Sequence, residues 1–394
     1  MNILVLNCGS SSAKFAVIDS ASGIERLTGI AQRLGSPEAS LDYSHSGQKH
    51  SQNLPGADHE RGLRAAVQVM DDLGLRQSLG GVGHRVVHGG AKFAHSTRIT
   101  PDVVAQVEAC IHLGPLHNPP NLLGIRLAQH LLPGLPQVAV FDTAFHQTMP
   151  ARAYTYPVPH QWLEQHDVRR YGFHGTSHRY VAQKAQEMLG FAAGQGCLVT
   201  AHLGNGCSAT AVRDGQSVDT TMGLTPLEGL VMGTRSGSVD PALVGYVARA
   251  TGQSADAVLD ALNKKSGLLG LSGLSNDMRT LQEAAAQGNP RALLAIEVFC
   301  YVLAKQLAGL VVALGRLDAL VFTGGIGENS AEIREKVVGL LGFLGLQLDP
   351  AANAQAVRGK AGRITASTAP QALVVPTNEE RMIALDTASL VAGQ

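Results

Sequence analysis

The stretch TAHLGNGCSATAVRDG (Thr200–Gly215) decides how this chain folds. A small apolar strand breaks into a loop of Asn, Gly and Ser, and a second strand runs on to an Asp-Gly turn. The chain opens on the same device, ILVLNCGSSSAKFAVIDSASG (Ile3–Gly23). One such segment is an ordinary β-hairpin. Two in matching contexts, about half the chain apart, indicate an internal duplication. Glycine lets the backbone approach a ligand, and loop N–H groups with Ser hydroxyls can hold phosphate oxygens. Lys14, just after the first loop, adds a positive charge.

A third segment, LVFTGGIGENSAEIREKV (Leu320–Val337), reads as an apolar strand, a Gly-rich turn and a helix with acidic residues early. Such a turn and helix start can receive a phosphate or the nucleoside end of a nucleotide. It matches neither GxxxxGK[ST] nor GxGxxG. Strands are expected at Ile3–Leu6, Lys14–Ile18, Gly83–Val87, Val138–Phe141, Cys197–Leu203, Ser208–Arg213, Ala319–Phe322 and Ala372–Val375. Helical patterns alternate with them, among them Pro119–Leu131, Ser177–Leu189, Asn289–Leu314 and Glu379–Val391. The class is α/β. Ser46–Glu60 reads as a polar surface connection, and Met149–Trp162, rich in Pro and Tyr, as a domain crossover.

At 394 residues two domains are the default expectation. Lys+Arg and Asp+Glu balance at 31 each, which argues against a nucleic-acid or anionic-membrane partner. Five Cys with no CxxC pair suit a reduced, cytoplasmic compartment. The apolar run Ala292–Leu314 carries Glu297, Lys305 and Gln306 and reads as a buried helix. His84/His88 and His174/His178 have metal-ligand spacing but sit in strand–turn and Gly-interrupted contexts, so spacing alone gives weak support for a metal.

Ionisable residues in Gly-bounded loops or at strand ends form the candidate chemistry: Arg85 in GHRVVHGG, Asp142 in VAVFDTAFHQTMP, His174 in YGFHGTSH, Arg235 in MGTRSGSVDP and Glu379 in VVPTNEE. Each alone has a bland reading as a salt-bridged, capping or core residue. Together with two phosphate loops they resemble a phosphoryl-transfer site.

The motifs VLNCGSSSAKF, RVVHGG, PLHNPPN, VFDTAFHQTMP, YGFHGTSH, HLGNG, TPLEGLVMGTRSG, SNDMR, FTGGIGEN and VVPTNEE follow one another along the chain. In this order they resemble the acetate kinase family, including its propionate kinase relatives, over essentially the whole length. The resemblance implies the duplicated fold of actin, Hsp70 and sugar kinases (ribonuclease H-like), two lobes with the active-site cleft between them. The expected N-terminal lobe is 1–148 plus 381–394, and the C-terminal lobe 149–380.

It also implies reversible transfer of the ATP γ-phosphoryl group to acetate by direct in-line displacement. The catalytic positions would be Asp142, His174, Arg235 and Arg85. Val87, Leu116, Phe173 and Pro226 would line the methyl pocket beside Arg85. The ATP contacts would be Lys14, His202, Leu203, Gly204, Asn205, Gly206, Asp277, Met278, Arg279, Gly325, Ile326, Gly327, Glu328 and Asn329. Asn7 and Glu379 match the positions for Mg²⁺ or Mn²⁺. Partners would be acetate, ATP/ADP and a second copy of the chain as a homodimer, with no nucleic acid and no membrane.

Ser238, after GTRSG, stands where Asp is expected in many relatives, which puts in question a contact behind Arg235. Two alternatives stay open at this stage: a propionate kinase with the same mechanism, and a non-enzymatic actin- or Hsp70-like nucleotide-binding protein.

Overall fold

A computed structural model describes residues 1–366 and 370–393. The chain divides into two compact units: Met1–Gln147 with the segment from Asn378 on, and Thr148–Thr377. The expected boundary after residue 380 differs from this division. The side chain of Asn378 caps the helix Glu379–Ala392, accepting from Arg381 N at 2.7 Å. Glu379 and Glu380 therefore belong with that helix and with the first unit. Residues 367–369 and 394, inside the expected lobes, lie outside the described residues.

In the first unit, β1 (Asn2–Cys8), β2 (Ser12–Asp19), β3 (Glu25–Gln32), β4 (Ser40–His45) and β5 (Gln48–Asn53) form an antiparallel meander. β6 (Leu79–Val86) and β8 (Gln137–Phe141) continue the sheet in parallel with β1, and the two-residue β7 (Thr97–Arg98) closes its edge. The order is β5-β4-β3-β2-β1-β6-β8-β7. The polar stretch Ser46–Glu60 thus contains an edge strand as well as a connection. Every residue of β5 is exposed, so its side chains carry no apolar alternation for a sequence reading to find.

The second unit contains β9 (Cys197–Leu203), β10 (Cys207–Arg213), β11 (Gln216–Thr220), β12 (Ala319–Thr323), β13 (Gly362–Arg363) and β14 (Gln371–Val374). Its order is β11-β10-β9-β12-β14-β13, with β9, β12 and β14 parallel. The cores of the sheets match strand for strand: β3-β2-β1-β6-β8 against β11-β10-β9-β12-β14. Both hairpins close alike, Cys8 opposite Ala13 and Leu203 opposite Cys207. The duplication is one of topology as well as sequence.

Alternation along β1 shows why both faces are covered. Leu4 and Leu6 join Phe15, Leu27, Leu63 and Met70 in one core. Ile3 and Val5 face the other way, with Val138 and Val140, onto Ile383 and Ala384 of the C-terminal helix. That helix sits so close that a methyl group at Gly83 would lie 2.6 Å from Ile383 Cγ2.

The long apolar helix is Pro290–Leu314, capped by Asn289 and ended by Gly315 at φ 76°. It buries Ile296, Phe299, Leu303 and Leu307 and lies against β9, β10 and β11. The helix expected to be buried packs one face into the core and leaves the other exposed. Tyr301 and Val312 are 63% and 85% exposed.

His84 on β6 is buried, its Nε2 2.8 Å from Gln137 Oε1. Burial pulls its pKa down to about 4, against which the Gln137 bond works. The unfolded chain binds a proton near pH 6.5 and the folded chain does not, so stability falls as pH drops from 6.5 to 4. The shift corresponds to on the order of 3 kcal/mol. In urea unfolding, the stability difference between the wild type and His84→Gln narrows between pH 7 and pH 4.5. A constant difference would contradict this.

Candidate active site

In the first unit, Arg85 projects from β6 and Asp142 follows β8, the strand beside it. Arg85 Nε donates to Asp142 Oδ1 at 2.9 Å and Nη2 to Oδ2 at 2.7 Å, a two-pronged pair on a carboxylate that is 1% exposed. Glu379 Oε2 lies 3.9 Å from Arg85 Nε. Burial works against the Arg85 charge, but Asp142 and Glu379 outweigh it and its pKa is raised. Burial pushes Glu379 up to about 7, opposed by Arg85 and Lys14 and reinforced by Asp142 and Glu380. One guanidinium therefore faces more carboxylate than it can neutralise.

The loop after β6 is clamped by the NPPN motif. Asn118 accepts from His88 N and donates to His88 O. Asn121 accepts from Val87 N at 3.0 Å and donates to Cys8 O at 2.8 Å, joining this loop to the end of the first hairpin strand. Neither asparagine was singled out in the sequence. Both act on backbone, which residue type alone does not reveal. Lys14 is exposed on β2, paired in register with Asn7 on β1. Val87 is half-buried and Leu116 is 62% exposed.

In the second unit, His174 caps the helix Gly175–Leu189 in the left-handed conformation, φ 56°. Such a backbone costs a non-glycine residue stability and here aims the ring. The helix begins at Gly175, two residues before its expected start, so His178 stands in its first turn. Each ring of the two spaced histidine pairs has at least one nitrogen in a hydrogen bond, His84 through Nε2 to Gln137. His88 Nδ1 accepts from Gly90 N, and both rings of His174 and His178 meet Ser208. No group of three or more His, Cys, Asp or Glu arranged for a metal occurs among the described residues.

Arg235 Nη1 donates to Pro226 O at 2.6 Å. A methyl group at Gly206 would lie 2.6 Å from Arg235 Nη2 and 3.4 Å from His174 Nε2. The bare backbone of Gly206 is thus bordered by a guanidinium nitrogen and an imidazole nitrogen, a setting suited to an oxyanion. Burial lowers the Arg235 pKa. Ser238 Oγ accepts from Gly229 N and Ser238 N donates to Gly229 O, both at 3.0 Å. The loop that carries Arg235 is therefore closed without an aspartate at 238. Phe173 is 1% exposed and Pro226 half-buried.

A cavity of about 570 Å³ opens beside the second hairpin. Of the residues expected at ATP, Gly204, Asn205, Asp277, Met278, Arg279, Gly325, Ile326 and Asn329 line it. Asn276, Gln282 and Ser330 line it too and escaped the sequence reading. Asn276 is recognisable only from the fold, through its 2.9 Å bond to Asn205 Oδ1. The Gly-rich turn is itself a short helix, Gly324–Asn329. Glu328 points back within it: Oε1 accepts from Gly324 N, Thr323 Oγ1 and Thr377 N. His202, Leu203, Gly206, Gly327 and Glu328 stand behind or beside the cavity, with Leu203 and Gly327 buried.

A phosphotransferase of the duplicated ribonuclease H-like fold is the class that this strand order and these side chains define together. The chain belongs to the Acetokinase family, whose profile matches residues 2–385. It is 57% identical over 390 residues to acetate kinase of Ectopseudomonas mendocina, covering 99% of each chain. To acetate kinase of Deinococcus radiodurans it is 56% identical over 391 residues, 99% of this chain and 98% of the relative. Among solved structures, Porphyromonas gingivalis acetate kinase superposes with TM-score 0.94 at 43% identity, covering 99% of both chains. A propionate kinase from Francisella tularensis gives the same TM-score and identity, covering 98% of this chain and 99% of that one.

Proposed function

We propose that the protein transfers the γ-phosphoryl group of ATP to acetate, giving acetyl phosphate and ADP, and runs the reverse. The observation that carries this is the pair of nitrogens, Arg235 Nη2 and His174 Nε2, bordering Gly206 on the loop that also lines the nucleotide-sized cavity.

Acetate is already ionised at neutral pH, so it needs no base to activate it. The difficulty is to bring an anion to a polyanion, and cations placed on the moving charge meet it. We assign Arg235 and His174 to the transferring phosphoryl group and Arg85 to the carboxylate. Asp142 orients Arg85 and removes no proton. The residues around the 570 Å³ cavity hold the nucleotide. Val87, Leu116, Phe173 and Pro226 contact the methyl group.

The carboxylate excess around Arg85 suits a hard divalent cation. Asn7 and Glu379 would hold Mg²⁺ or Mn²⁺, which when bound shields the phosphate oxygens. We further assign the protein to the cytoplasm, as a homodimer; five buried, unbridged cysteines accord with a reducing compartment.

Hydroxylamine trapping of acyl phosphate, with ATP, Mg²⁺ and acetate, propionate or butyrate side by side, tests this reading. The highest kcat/KM is expected with acetate. One methylene changes binding by only about 1–3 kcal/mol, so propionate should react measurably. A preference for propionate would move the substrate and keep the mechanism. No product from any acid would overturn the reading.

A further inference from the structure

The loop that carries Arg235 is tied by a set of side chains that the transfer step does not use. Tyr156, in the Pro- and Tyr-rich stretch Met149–Trp162, donates its hydroxyl proton to Glu228 Oε2 and accepts from Leu224 N at 2.9 Å. Glu228 Oε1 accepts from Arg170 Nη2 at 2.8 Å, and Arg170 Nη1 donates to the carbonyls of Thr220 and Thr221 at 3.0 and 3.1 Å. Burial and the Glu228 charge raise the Tyr156 pKa, so the hydroxyl keeps the proton it donates. No side chain fits at Gly223: a methyl group there would collide with Glu228 Oε2 and the Tyr156 hydroxyl. The Gly223 carbonyl accepts from Tyr171 N and Gly172 N at 3.1 and 3.3 Å, on the segment that leads to His174. Pro226 stands between the tied positions Leu224 and Glu228, and its carbonyl is the acceptor at 2.6 Å for Arg235 Nη1.

From this we propose that Tyr156, Arg170 and Glu228 are positioning residues for Arg235, acting through the Pro226 carbonyl. They fix the loop on both sides of Pro226, and the carbonyl in turn holds Nη1 so that Nη2 borders Gly206. The charges are sorted to the same end. Glu228, the carboxylate of this loop, is taken up by Arg170 and Tyr156, whereas Arg235 is held by a neutral acceptor. The Arg235 charge is then left for an oxyanion. A loose guanidinium would have to be ordered as the phosphoryl group moves; this brace orders it beforehand. The proposal deepens the phosphoryl-transfer reading and rests on it for its catalytic consequence.

A double-mutant cycle tests it. Tyr156→Phe keeps the ring and removes the hydroxyl, so kcat should fall about tenfold with KM for ATP unchanged. Glu228→Ala should cost more, and Glu228→Gln, whose amide oxygen still accepts from Arg170, should recover most of that loss. In an Arg235→Ala background Tyr156→Phe should lower kcat no further, because the side chain it positions is gone. An equal loss in both backgrounds, or a wild-type kcat in Tyr156→Phe, would overturn the proposal. If Glu228→Ala does not fold, the Tyr156→Phe cycle still decides. NMR of ¹⁵N-arginine-labelled protein reads the placement without turnover. The Arg235 signals, assigned by their loss in Arg235→Lys, should shift in Tyr156→Phe, and unmoved signals would also count against the brace. If the wild type made no acyl phosphate while those signals shifted, the functional reading would fail and the brace would stand.

Discussion

On the proposed assignment Arg235→Ala should lower kcat by about a thousandfold while leaving ADP affinity nearly intact, because an arginine acting on a transferring phosphoryl group contributes on that scale. The side chain is set by the Pro226 carbonyl at Nη1, which turns Nη2 toward Gly206. Arg235 is not among the residues lining the 570 Å³ cavity, so its loss should spare nucleotide binding. Lysine supplies a charge without the planar fork and should restore only a small part of the rate. Steady-state kinetics together with calorimetric titration of ADP separate the two effects. A kcat within tenfold of wild type would remove Arg235 from the transfer step.

Arg85→Met is expected to destabilise the fold by about 3–5 kcal/mol, besides abolishing turnover, since it leaves a buried carboxylate uncompensated. Asp142 would lose both guanidinium bonds, and Glu379 its nearest cation. The pH dependence has a definite sign. Burial already raises the Glu379 pKa to about 7 against the pull of Arg85, and without Arg85 it rises further. The variant is then least stable at high pH and regains stability as pH falls and protons replace the missing cation. Denaturant unfolding at pH 8 and pH 5.5 should show the deficit shrinking at the lower pH. Arg85→Lys should recover part of the stability and little activity. A deficit that is the same at both pH values would mean that the pair with Asp142 carries no net electrostatic weight.

How far the sequence could be read depended on what each residue touches. The two hairpins were legible because strand, Gly-Asn-Ser loop and strand recur, and because apolar residues on β1 alternate over a two-faced core. β3 and β4 also belong to the meander, but their half-buried patterns give a weaker alternation, and fully exposed β5 gives none. The charged residues could be picked out because Arg85, Asp142, His174 and Arg235 sit in Gly-bounded loops or at strand ends. Their supports were silent. Asn118, Asn121 and Ser208 act through backbone groups or a neighbouring ring, and only tertiary structure brings those together. Glu328 shows the converse: it lies within a motif read as contacting nucleotide, yet its Oε1 accepts from Gly324, Thr323 and Thr377 of the surrounding backbone and side chains.

Direct transfer from ATP to the carboxylate has a rival path through two side chains. Glu379, its pKa raised to about 7, and His174, beside Gly206, are both nucleophiles by residue type. A phosphorylated enzyme on either would divide the reaction into two displacements at phosphorus. The deciding measurement is the configuration of the phosphoryl group after one turnover, starting from ATP made chiral at the γ-phosphorus with oxygen isotopes. A single in-line displacement predicts inversion in the acetyl phosphate. Retention would contradict direct transfer and require a covalent intermediate on the protein.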